Sequence, residues 1–251
     1  MNKVNIEQGL VPAEKNIFTG DLYYFGDVEH IKIIFDEIYG SEQYKEGLEY
    51  IKTLEKPIVV DCGAHIGLAS LYFNQASNAT IYALEPVKDN FEALCENVKN
   101  FPNIHSINIG LRSYSGRSLI DIGDKGTAGG SFFGDRGEKE GVDHLTIEDF
   151  MNQNNIDHID LLKIDTEGSE YEILISKAFK RVEHKIDMII GESHTQPIYP
   201  YAIPYILSNY DTHFTDDKNL TIDVKGTLAG ETEPFEVRVF FNSMFVARRK
   251  K

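Results

Sequence analysis

Apolar residues follow two different periods along the chain. On the N-terminal side they recur at helical spacing in two runs separated by Gly40. The residues of these runs are Ile31, Ile34, Phe35 and Ile38, then Leu48, Ile51 and Leu54. The next apolar run, Ile58–Val60, is short, continuous and β-branched, which predicts a strand covered on both faces. The pattern therefore predicts two helices followed by the first strand of a buried sheet.

Helical and strand patterns then alternate, which is typical of βαβ units on a parallel sheet. The predicted strands are Ile81–Leu84, Ile104–Ile109, Ile159–Ile164 and Ile186–Ile190. The predicted helices include Leu68–Tyr72, Phe91–Val98, Ile147–Met151 and Ile173–Phe179. Two further strands are predicted to end the chain, at Thr212–Asp216 and from Val237 through Phe241 towards Val246. The segment between them is too short for a helical crossover, so a late antiparallel strand is expected.

A glycine-rich stretch interrupts the alternation between Gly123 and Gly141. A loop of this length in a compact domain is usually functional or disordered. A hairpin and a mobile loop above the sheet both fit the stretch. Ser131, Phe132 and Phe133 lie among its glycines, which suits a lid with apolar contacts and equally a purely structural hairpin.

Composition and charge restrict the partners. The 25 basic and 40 acidic residues give a formal net charge of −15, which repels phosphate backbones and anionic membranes. We therefore expect no nucleic acid partner and no membrane partner. The N-terminus lacks an apolar leader, no uncharged apolar run reaches about 18 residues, and the cysteines show no metal or disulfide spacing. These features predict a soluble, cytoplasmic protein.

The first strand end carries a glycine turn. Ligands of a doubly wound sheet bind beyond the carboxyl ends of its strands. Here Asp61 opens a turn in which Gly63 permits the reversal and Gly67 permits close helix packing. His65 and Leu68 stand where a dinucleotide fingerprint needs glycines, which disfavours a nicotinamide-dependent oxidoreductase. Asp61 also suits a neutral or cationic ligand better than a phosphate.

Glu85 ends the second strand, directly before Pro86. A carboxylate at this place can accept two hydrogen bonds from a ribose diol, so a nucleoside ligand is predicted. A solvent-exposed glutamate before a helix is the alternative interpretation.

Two more strand ends carry ionisable groups. Asp165 and Glu167 are neighbouring carboxylates, and in a partly dry cleft one pKa would rise and give a candidate base. Capping of the next helix fits Asp165 equally well. His194 is a second candidate base, because an imidazole titrates near neutral pH. Asp165, Glu192 and His194 can converge on a divalent ion, but no tight ligand motif is present and no metal site is predicted. Lys163, as a strand residue, is expected to point away from the ligand.

Three segments in order resemble FkbM-type methyltransferases. They are VVDCGAHIGLASLYF at 59–73, ALEPVKDNFEALCENV at 83–98 and LLKIDTEGSEYE at 161–172, and the similarity extends from about Pro57 to about His194. The resemblance implies a class I methyltransferase fold, which is an α/β, Rossmann-like, doubly wound and mostly parallel seven-stranded sheet. It also implies S-adenosylmethionine as the cofactor, and usually O-methylation of a sugar, polyketide or related hydroxyl.

The resemblance also implies roles for individual residues. The turn that holds the methionine end of the cofactor matches Asp61, Gly63, Ala64, His65 and Gly67. Glu85 with Pro86 matches the ribose-binding corner, Leu111 lies where such folds contact adenine, and Asp165 lies where residues face the transferred methyl. Together with the local chemistry, this makes His194, Asp165 and Glu167 the catalytic candidates.

The sequence as a whole predicts an O-methyltransferase acting on a small natural-product or sugar-like acceptor. N-methylation, carboxyl methylation and a non-catalytic S-adenosylmethionine-binding module remain alternatives. We expect residues 57–251 to form the catalytic domain and residues 1–56 a helical extension that closes the acceptor pocket. The glycine-rich stretch and the segment 196–201, with Tyr199 and Tyr201, are expected to complete it. The chain is expected to be a monomer or a homodimer.

Overall fold

The structure is a computed structural model that describes residues 1–5, 21–123, 131, 137–194, 199–215, 224–226, 235–237 and 243–250. Several predicted features lie outside these residues. They include Phe132 and Phe133 of the expected lid, the segment 196–198 and the side chains of Tyr199 and Tyr201.

Strands and helices alternate along the described chain. The strands are β1 (Asn2–Asn5), β2 (Asp21–Tyr24), β3 (Ile58–Cys62), β4 (Thr80–Leu84), β5 (Ile104–Ile107), β6 (Gly110–Leu111), β7 (Gly116–Gly123), β8 (Glu138–Leu145), β9 (Ile159–Ile164), β10 (Ile186–Ser193), β11 (Tyr210–Phe214), β12 (Val224–Gly226), β13 (Phe235–Val237) and β14 (Ser243–Arg249). The helices are α1 (Val28–Phe35), continued by a π-helical turn at Asp36–Gly40, α2 (Lys45–Lys52), α3 (Leu68–Phe73), α4 (Lys88–Val98), α5 (Ile147–Gln153), α6 (Glu170–Ile175), α7 (Lys177–Val182), followed by a 3-10 turn at Glu183–Lys185, and α8 (Tyr199–Ile206).

The main sheet has seven strands in the order β11-β14-β10-β9-β3-β4-β5. Its strands from β10 to β5 pair in parallel, and β14 is antiparallel to both of its neighbours. The expected class I methyltransferase sheet with one late antiparallel strand is therefore confirmed. In the register, Cys62 lies beside Leu84 on one side and Ile164 on the other, so three strand ends are level.

Both faces of the sheet are buried, which explains the continuous apolar runs. Along β3, Val59 belongs to one core cluster and Val60 to the other. The first face is covered by the N-terminal helices α1 and α2 together with α3 and α4. The second face is covered by α5, α6, α7 and α8. The N-terminal helices thus share a core with the sheet, and the division of the chain at residue 57 stays a prediction.

Three predicted elements differ from the structure. The predicted helix Ile173–Phe179 breaks at Ser176, because the Ser176 hydroxyl accepts a hydrogen bond from Phe179 N at 3.0 Å and starts a new helix. The strand predicted at Thr212–Asp216 begins earlier, at Tyr210.

The last strand of the sheet also lies further along the chain than predicted, at Ser243–Arg249. Phe235–Val237, where the run was expected to begin, pairs instead with Val224–Gly226. The reason is burial on two faces: Met244–Ala247 is a continuous buried run, which a position between β10 and β11 requires.

The glycine-rich stretch is flanked by a hairpin. Strands β7 and β8 pair antiparallel, with β6 beside β8, and Ser131 forms a bridge to Asp121. In the described part of the chain, no helix has the length and hydrophobicity needed to cross a bilayer.

Candidate active site

A cavity of about 310 Å³ lies at the carboxyl ends of β3, β4, β9 and β10. Helix α1 and the turn that follows it cover this cavity through Ile34 and Glu37, among others. Most of the predicted site residues line it: Gly63, Ala64, His65, Glu85, Pro86, Leu111, Asp165, Glu167 and His194. Asp61 and Gly67 lie behind the wall, and neither lines the cavity.

The glycine turn brings two distant segments into contact. Gly63 has a φ of +77°, and a Cβ on it would lie 1.8 Å from the carbonyl oxygen of Asp165. Gly67 has a φ of +92°, and its Cβ would lie 2.7 Å from Leu94 Cδ1 of α4. Gly63 therefore permits close approach to the β9 end, and Gly67 permits packing against α4.

Lys163 does not point away from the site, in contrast to the expectation from sequence. It lines the cavity, and its Nζ donates to Gly63 O at 2.7 Å. The same Nζ lies 3.2 Å from Asp61 Oδ1 and 3.3 Å from Asp165 Oδ2. The physical reason is strand parity: Lys163 shares a face with Leu161, and at the end of β9 that face opens into the cavity.

Asp61 acts on the turn from within the core. Its side chain is fully buried, and Oδ2 accepts a hydrogen bond from Ser70 Oγ at 2.6 Å. With Lys163 on Oδ1, the carboxylate ties the start of the turn to α3 and to β9. Asp61 therefore supports the wall that Gly63 and Ala64 present to the cavity.

Glu85 is anchored by backbone amides at the edge of the cavity. Its Oε2 accepts from His65 N at 2.8 Å, and its Oε1 accepts from Val87 N at 3.0 Å. Burial raises the pKa of Glu85 to about 7, although these hydrogen bonds oppose the shift. Oε1 also accepts from Asn90 Nδ2 at 3.5 Å, so Oε2, with one donor, keeps a lone pair for a ligand hydroxyl.

Asp165 is held as a carboxylate at the centre of the cavity. Tyr44 OH donates to its Oδ2 at 3.0 Å, and Lys163 Nζ lies close to the same oxygen. Burial favours the neutral acid, but Lys163, His194 and Tyr44 together lower the pKa of Asp165. A carboxyl with a lowered pKa is a weak proton acceptor.

His194 is oriented by Glu170, which is almost fully buried. Glu170 Oε1 accepts from Thr166 N at 2.7 Å, and His194 Nδ1 lies 3.2 Å from the same oxygen. The Gly168 amide also donates to the Glu170 carboxylate, so Glu170 closes the loop before α6 as well as holding the imidazole.

Three carboxylates surround the other ring nitrogen of His194. Nε2 lies 3.7 Å from Asp165 Oδ1, 3.7 Å from Glu192 Oε2 and 3.8 Å from Glu167 Oε2. Burial disfavours the imidazolium, but the hydrogen bond that His194 donates to Glu170 and the charges of Asp165, Glu170 and Glu167 outweigh it and raise the pKa of His194 to about 10. This shift favours the imidazolium at neutral pH, and the role of His194 as catalytic base stays a prediction.

Two of the surrounding carboxyls bind protons more tightly than usual. Burial, and then the charge of Asp165, raise the pKa of Glu192 to about 7. Burial raises the pKa of Glu167 above its ordinary value, and Asp165 and Glu170 act in the same direction. Of these groups, Glu192 has the pKa best matched to proton transfer near neutral pH.

Two groups of described residues have the spacing of metal ligands. Asp165, Glu170 and His194 offer atoms within 4.8 Å of one another, as do His158, Asp160 and Asp187. In the second group, Arg249 already pairs with Asp187. The sequence-based expectation of no metal site stays a prediction.

A comparison with protein families decides between the interpretations of this cavity. The family model described as the methyltransferase FkbM domain matches residues 61–226. The chain belongs to this family. It is an S-adenosylmethionine-dependent methyltransferase.

Solved structures with similar folds are also methyltransferases. They include precorrin-6y C5,15-methyltransferase from Geobacter metallireducens, at 15% identity and a TM-score of 0.43 over 80% of this chain and 86% of that chain. A putative RNA methyltransferase from Pyrococcus horikoshii has 14% identity and a TM-score of 0.44 over 84% and 83% of the two chains. TrmK of M. capricolum, in complex with S-adenosyl-homocysteine, has 16% identity and a TM-score of 0.40 over 81% and 68%. Among curated proteins, none matches this chain significantly.

The cavity of this FkbM-family methyltransferase fits its cofactor. Its volume lies at the lower end of the range for small-molecule sites, about 300–1,000 Å³. Seven buried side-chain polar atoms have no hydrogen-bond partner among the described residues, and three of them belong to residues that line the cavity: Asn90 Oδ1, His30 Nε2 and His65 Nε2. Buried polar atoms without partners are rare in folded proteins, so these atoms indicate ligand contacts.

Several residues of the methyltransferase site escaped the sequence analysis. Tyr44 and His30 come from the N-terminal helical region, and Tyr44 lies 121 positions before its partner Asp165. Glu192 was considered only as a metal ligand. Its place one residue after Gly191, at the end of β10, was the signal that could have marked it as a candidate base.

Proposed function

We propose that this methyltransferase transfers the methyl group to a hydroxyl of a small natural-product or sugar-like acceptor, in the cytoplasm. The observation that carries the proposal is the continuity of one cavity from Glu85 to Glu192. Glu85 suits a ribose diol, and Glu192 suits proton transfer, so cofactor and acceptor can be placed end to end.

Methyl transfer requires alignment of the reacting atoms and removal of one proton from the acceptor hydroxyl. The bound cofactor supplies a methyl group that its sulfonium already activates. Glu85 and the Gly63 turn would hold the nucleoside and the amino-acid part, and Asp165 lines the same cavity. Alignment of nucleophile, methyl and leaving group accounts for most of the rate in such a reaction.

We assign the base role to Glu192, with His194 as a fixed positive charge. His194 lies within 3.7 Å of both Asp165 and Glu192, where it keeps two carboxylates close together. As the acceptor hydroxyl loses its proton, the same imidazolium stabilises the developing negative oxygen. The negative charges of Asp165 and Glu167 raise the pKa values of both Glu192 and His194.

The charge and size of the cavity favour a small acceptor without phosphate. Glu37, Asp165, Glu167 and Glu192 line the acceptor end, and a chain with a net charge of −15 repels polyanions. Helix α1 also covers the cavity, which restricts access for a macromolecule. These observations support a sugar-like or polyketide-like alcohol over RNA.

N-methylation is the second candidate, and the same acidic lining favours it. A cationic amine would be attracted to Glu37, Glu167 and Glu192, whereas a carboxylate acceptor would be repelled. Carboxyl methylation is therefore the weakest of the alternatives.

The proposed function is tested first by ligand binding. S-adenosylmethionine is expected to raise the melting temperature, NAD is not, and Glu85→Ala should remove most of the shift. Glu96→Ala, on the exposed side of α4, is the matched control and should keep it. Stabilisation by NAD alone would contradict the assignment.

The acceptor class is tested by mass spectrometry. Extracts of hydroxylated metabolites are incubated with enzyme and cofactor, and products that gain one methylene unit are compared with formation of S-adenosylhomocysteine. If the acceptor contains an amine, an O-methylated product keeps that amine free, and it still reacts with reagents specific for primary amines. A methylated amine would instead establish the second candidate.

A further inference from the structure

One side chain from outside the matched family domain reaches the centre of the cavity. Tyr44 directly precedes α2, whereas the methyltransferase FkbM domain is matched from residue 61 onwards. Its side chain lines the cavity, and its hydroxyl donates a hydrogen bond to Asp165 Oδ2 at 3.0 Å. A residue of the N-terminal helical region therefore contacts the carboxylate that is expected to face the transferred methyl.

The fold fixes the position of the Tyr44 hydroxyl. The Tyr44 side chain is almost fully buried, and the centre of its ring lies 5.8 Å from that of Phe73 in α3. Its backbone carbonyl accepts a hydrogen bond from Leu48 N at 3.1 Å, in the first turn of α2. A ring packed in a dense protein interior has little freedom to move. Tyr44 thus presents its hydroxyl to Asp165 from a rigid support.

The two carboxylate oxygens of Asp165 have different neighbours. Oδ2 accepts from Tyr44 and lies 3.3 Å from Lys163 Nζ. Oδ1 lies 3.7 Å from His194 Nε2, which is beyond hydrogen-bond distance. The last side-chain torsion of an aspartate has a broad energy minimum, so contacts decide how the carboxylate is turned. Here the contacts on Oδ2 set the distance between Oδ1 and the imidazole.

Opposite charge draws Asp165 towards His194. A carboxylate and an imidazolium in a partly dry site attract each other, and a direct charge-assisted hydrogen bond has a length of about 2.7–2.9 Å. Lys163 opposes this movement only in part, because its three N–H donors also serve Gly63 O and Asp61. The hydrogen bond from Tyr44 therefore holds the carboxylate at its observed distance from the imidazole.

We propose that Tyr44 is a positioning residue for methyl transfer, which acts by holding the Asp165 carboxylate away from His194. The inference rests on the proposed function, in which the His194 imidazolium stabilises the developing negative oxygen of the acceptor. The Nε2–H group is a single donor, so a direct bond to Asp165 competes with donation to that oxygen. The N-terminal helical region thus contributes to the reaction rate as well as to the wall of the cavity.

The test removes the Tyr44 hydroxyl and keeps the buried ring. The variant is Tyr44→Phe, made in the full-length protein with and without Asp165→Asn. Tyr39→Phe is the matched control, because Tyr39 is also almost fully buried and donates to Leu68 O at 3.0 Å, away from the cavity. Nitrogen-15 NMR at neutral pH follows the His194 Nε2–H resonance, which His194→Gln assigns. Melting temperatures check that each variant is folded.

The expected spectroscopic result is a direct bond between Asp165 and His194 in Tyr44→Phe. The Nε2 proton should shift downfield and exchange more slowly with water, whereas Tyr39→Phe should change neither property. When Asp165→Asn is already present, adding Tyr44→Phe should have no further effect, because Tyr44 acts through Asp165. The other carboxylates around His194 are unchanged in all of these variants, so they do not account for the difference.

Turnover is the second measurement. For the acceptor identified by mass spectrometry, Tyr44→Phe should lower kcat on the order of tenfold, the effect of losing one hydrogen bond to a charged group. The Kd of S-adenosylhomocysteine should change by less than about twofold, a difference small beside one such bond. Tyr39→Phe should leave both values close to those of the wild-type protein.

Two outcomes would overturn the inference. An unchanged Nε2–H resonance in Tyr44→Phe would show that Lys163 is sufficient to hold Asp165. An equal shift with and without Asp165→Asn would show that Tyr44 acts through packing. Failure of the proposed function is distinguishable from both: the wild-type protein would then transfer no methyl group to a hydroxyl, although the resonance moves as expected. In that case the contact stands and its catalytic consequence is wrong.

Discussion

Lys163 Nζ lies 3.2 Å from Asp61 Oδ1, and both side chains are almost fully removed from solvent. The lysine also reaches Asp165, so one buried cation serves two buried carboxylates from neighbouring strand ends. Burial disfavours the charged lysine, but Asp165 and Asp61 outweigh it and raise the pKa of Lys163 well above its ordinary value. The group is therefore charged at neutral pH.

Lys163→Met is therefore expected to be strongly destabilising. It leaves Asp61 and Asp165 buried without their cation, and removal of one partner from a buried ion pair costs about 3–5 kcal/mol. Urea denaturation measures the loss. Lys99→Met removes an exposed lysine paired with Glu96 and should change stability little. Equal stability of the two variants would contradict a central role for Lys163.

Gly63→Ala tests the close contact between the glycine turn and the end of β9. The new Cβ would lie 1.8 Å from Asp165 O, at a φ of +77°, so the turn must move. We expect a loss of stability of about 3 kcal/mol or more, the range of strained core substitutions, together with loss of cofactor binding. Gly141→Ala is the control, because its nearest neighbour is the flexible guanidinium of Arg117 at 3.2 Å. A Gly63→Ala protein as stable as this control would show that the turn can move away from Asp165 O without loss of stability.

The sequence was sufficient to predict the parts of the site that local pattern controls. Gly63 and Glu85 follow directly from strands with strong apolar patterns, and the register of parallel strands brings their ends level. The parallel sheet followed in the same way, because alternating strands and helices are typical of βαβ units. Lys163 shows where the same reasoning failed: as a strand residue it was expected to point away from the ligand, but its face of β9 opens into the cavity.

Contacts across long sequence separations were not predictable from pattern. Tyr44 donates to Asp165 over 121 positions, and nothing in the helix that begins at Lys45 indicates this partner. The charge of His194 was likewise not predictable from the sequence pattern. It depends on Glu170 and on two further carboxylates, Asp165 and Glu167, which folding brings together around the imidazole.

Glu85 predicts how nucleoside binding depends on pH. Its pKa of about 7 in the free protein falls when ribose hydroxyls donate to the carboxylate, so a proton is released on binding below that pH. Affinity should therefore rise as pH increases through 7 and then level off. 5′-Methylthioadenosine is the suitable ligand, since it carries the ribose but no titratable amino-acid part. Calorimetry from pH 6 to about 8.5 measures how the affinity changes with pH. If Glu85 causes this change, the affinity of the Glu85→Gln variant should not depend on pH over the same range.

Glu192 predicts the pH dependence of turnover. A carboxylate base with a pKa of about 7 must be ionised, so kcat should rise with pH through that region. Glu192→Gln should lower kcat by about 100-fold or more and remove this limb, as expected for loss of a general base. Glu96→Gln should leave the profile unchanged. If His194→Gln removes the limb and Glu192→Gln does not, the imidazole is the base.

His194 predicts how stability depends on pH. Its pKa of about 10 in the folded protein exceeds the ordinary value of 6.5, so its stabilisation is complete below pH 6.5 and is lost as pH rises through 10. At about 1.36 kcal/mol per pKa unit, the ceiling of this contribution is about 5 kcal/mol. Urea denaturation between these limits should show a steeper decline for the wild-type protein than for His194→Gln.

The same argument makes Glu170 the residue that sets this window. Glu170→Gln removes the negative charge that holds His194 Nδ1, so the pKa of His194 should fall and the decline in stability should begin at lower pH. Nitrogen-15 NMR titration of the imidazole measures the pKa directly, with exposed His213 as an internal reference. A His194 pKa that is unchanged in Glu170→Gln would assign the shift to Asp165, Glu167 and Glu192 instead. In that case the pKa of His194 would depend on the carboxylates at the acceptor end of the cavity alone. Each ligand that binds there would then change this pKa.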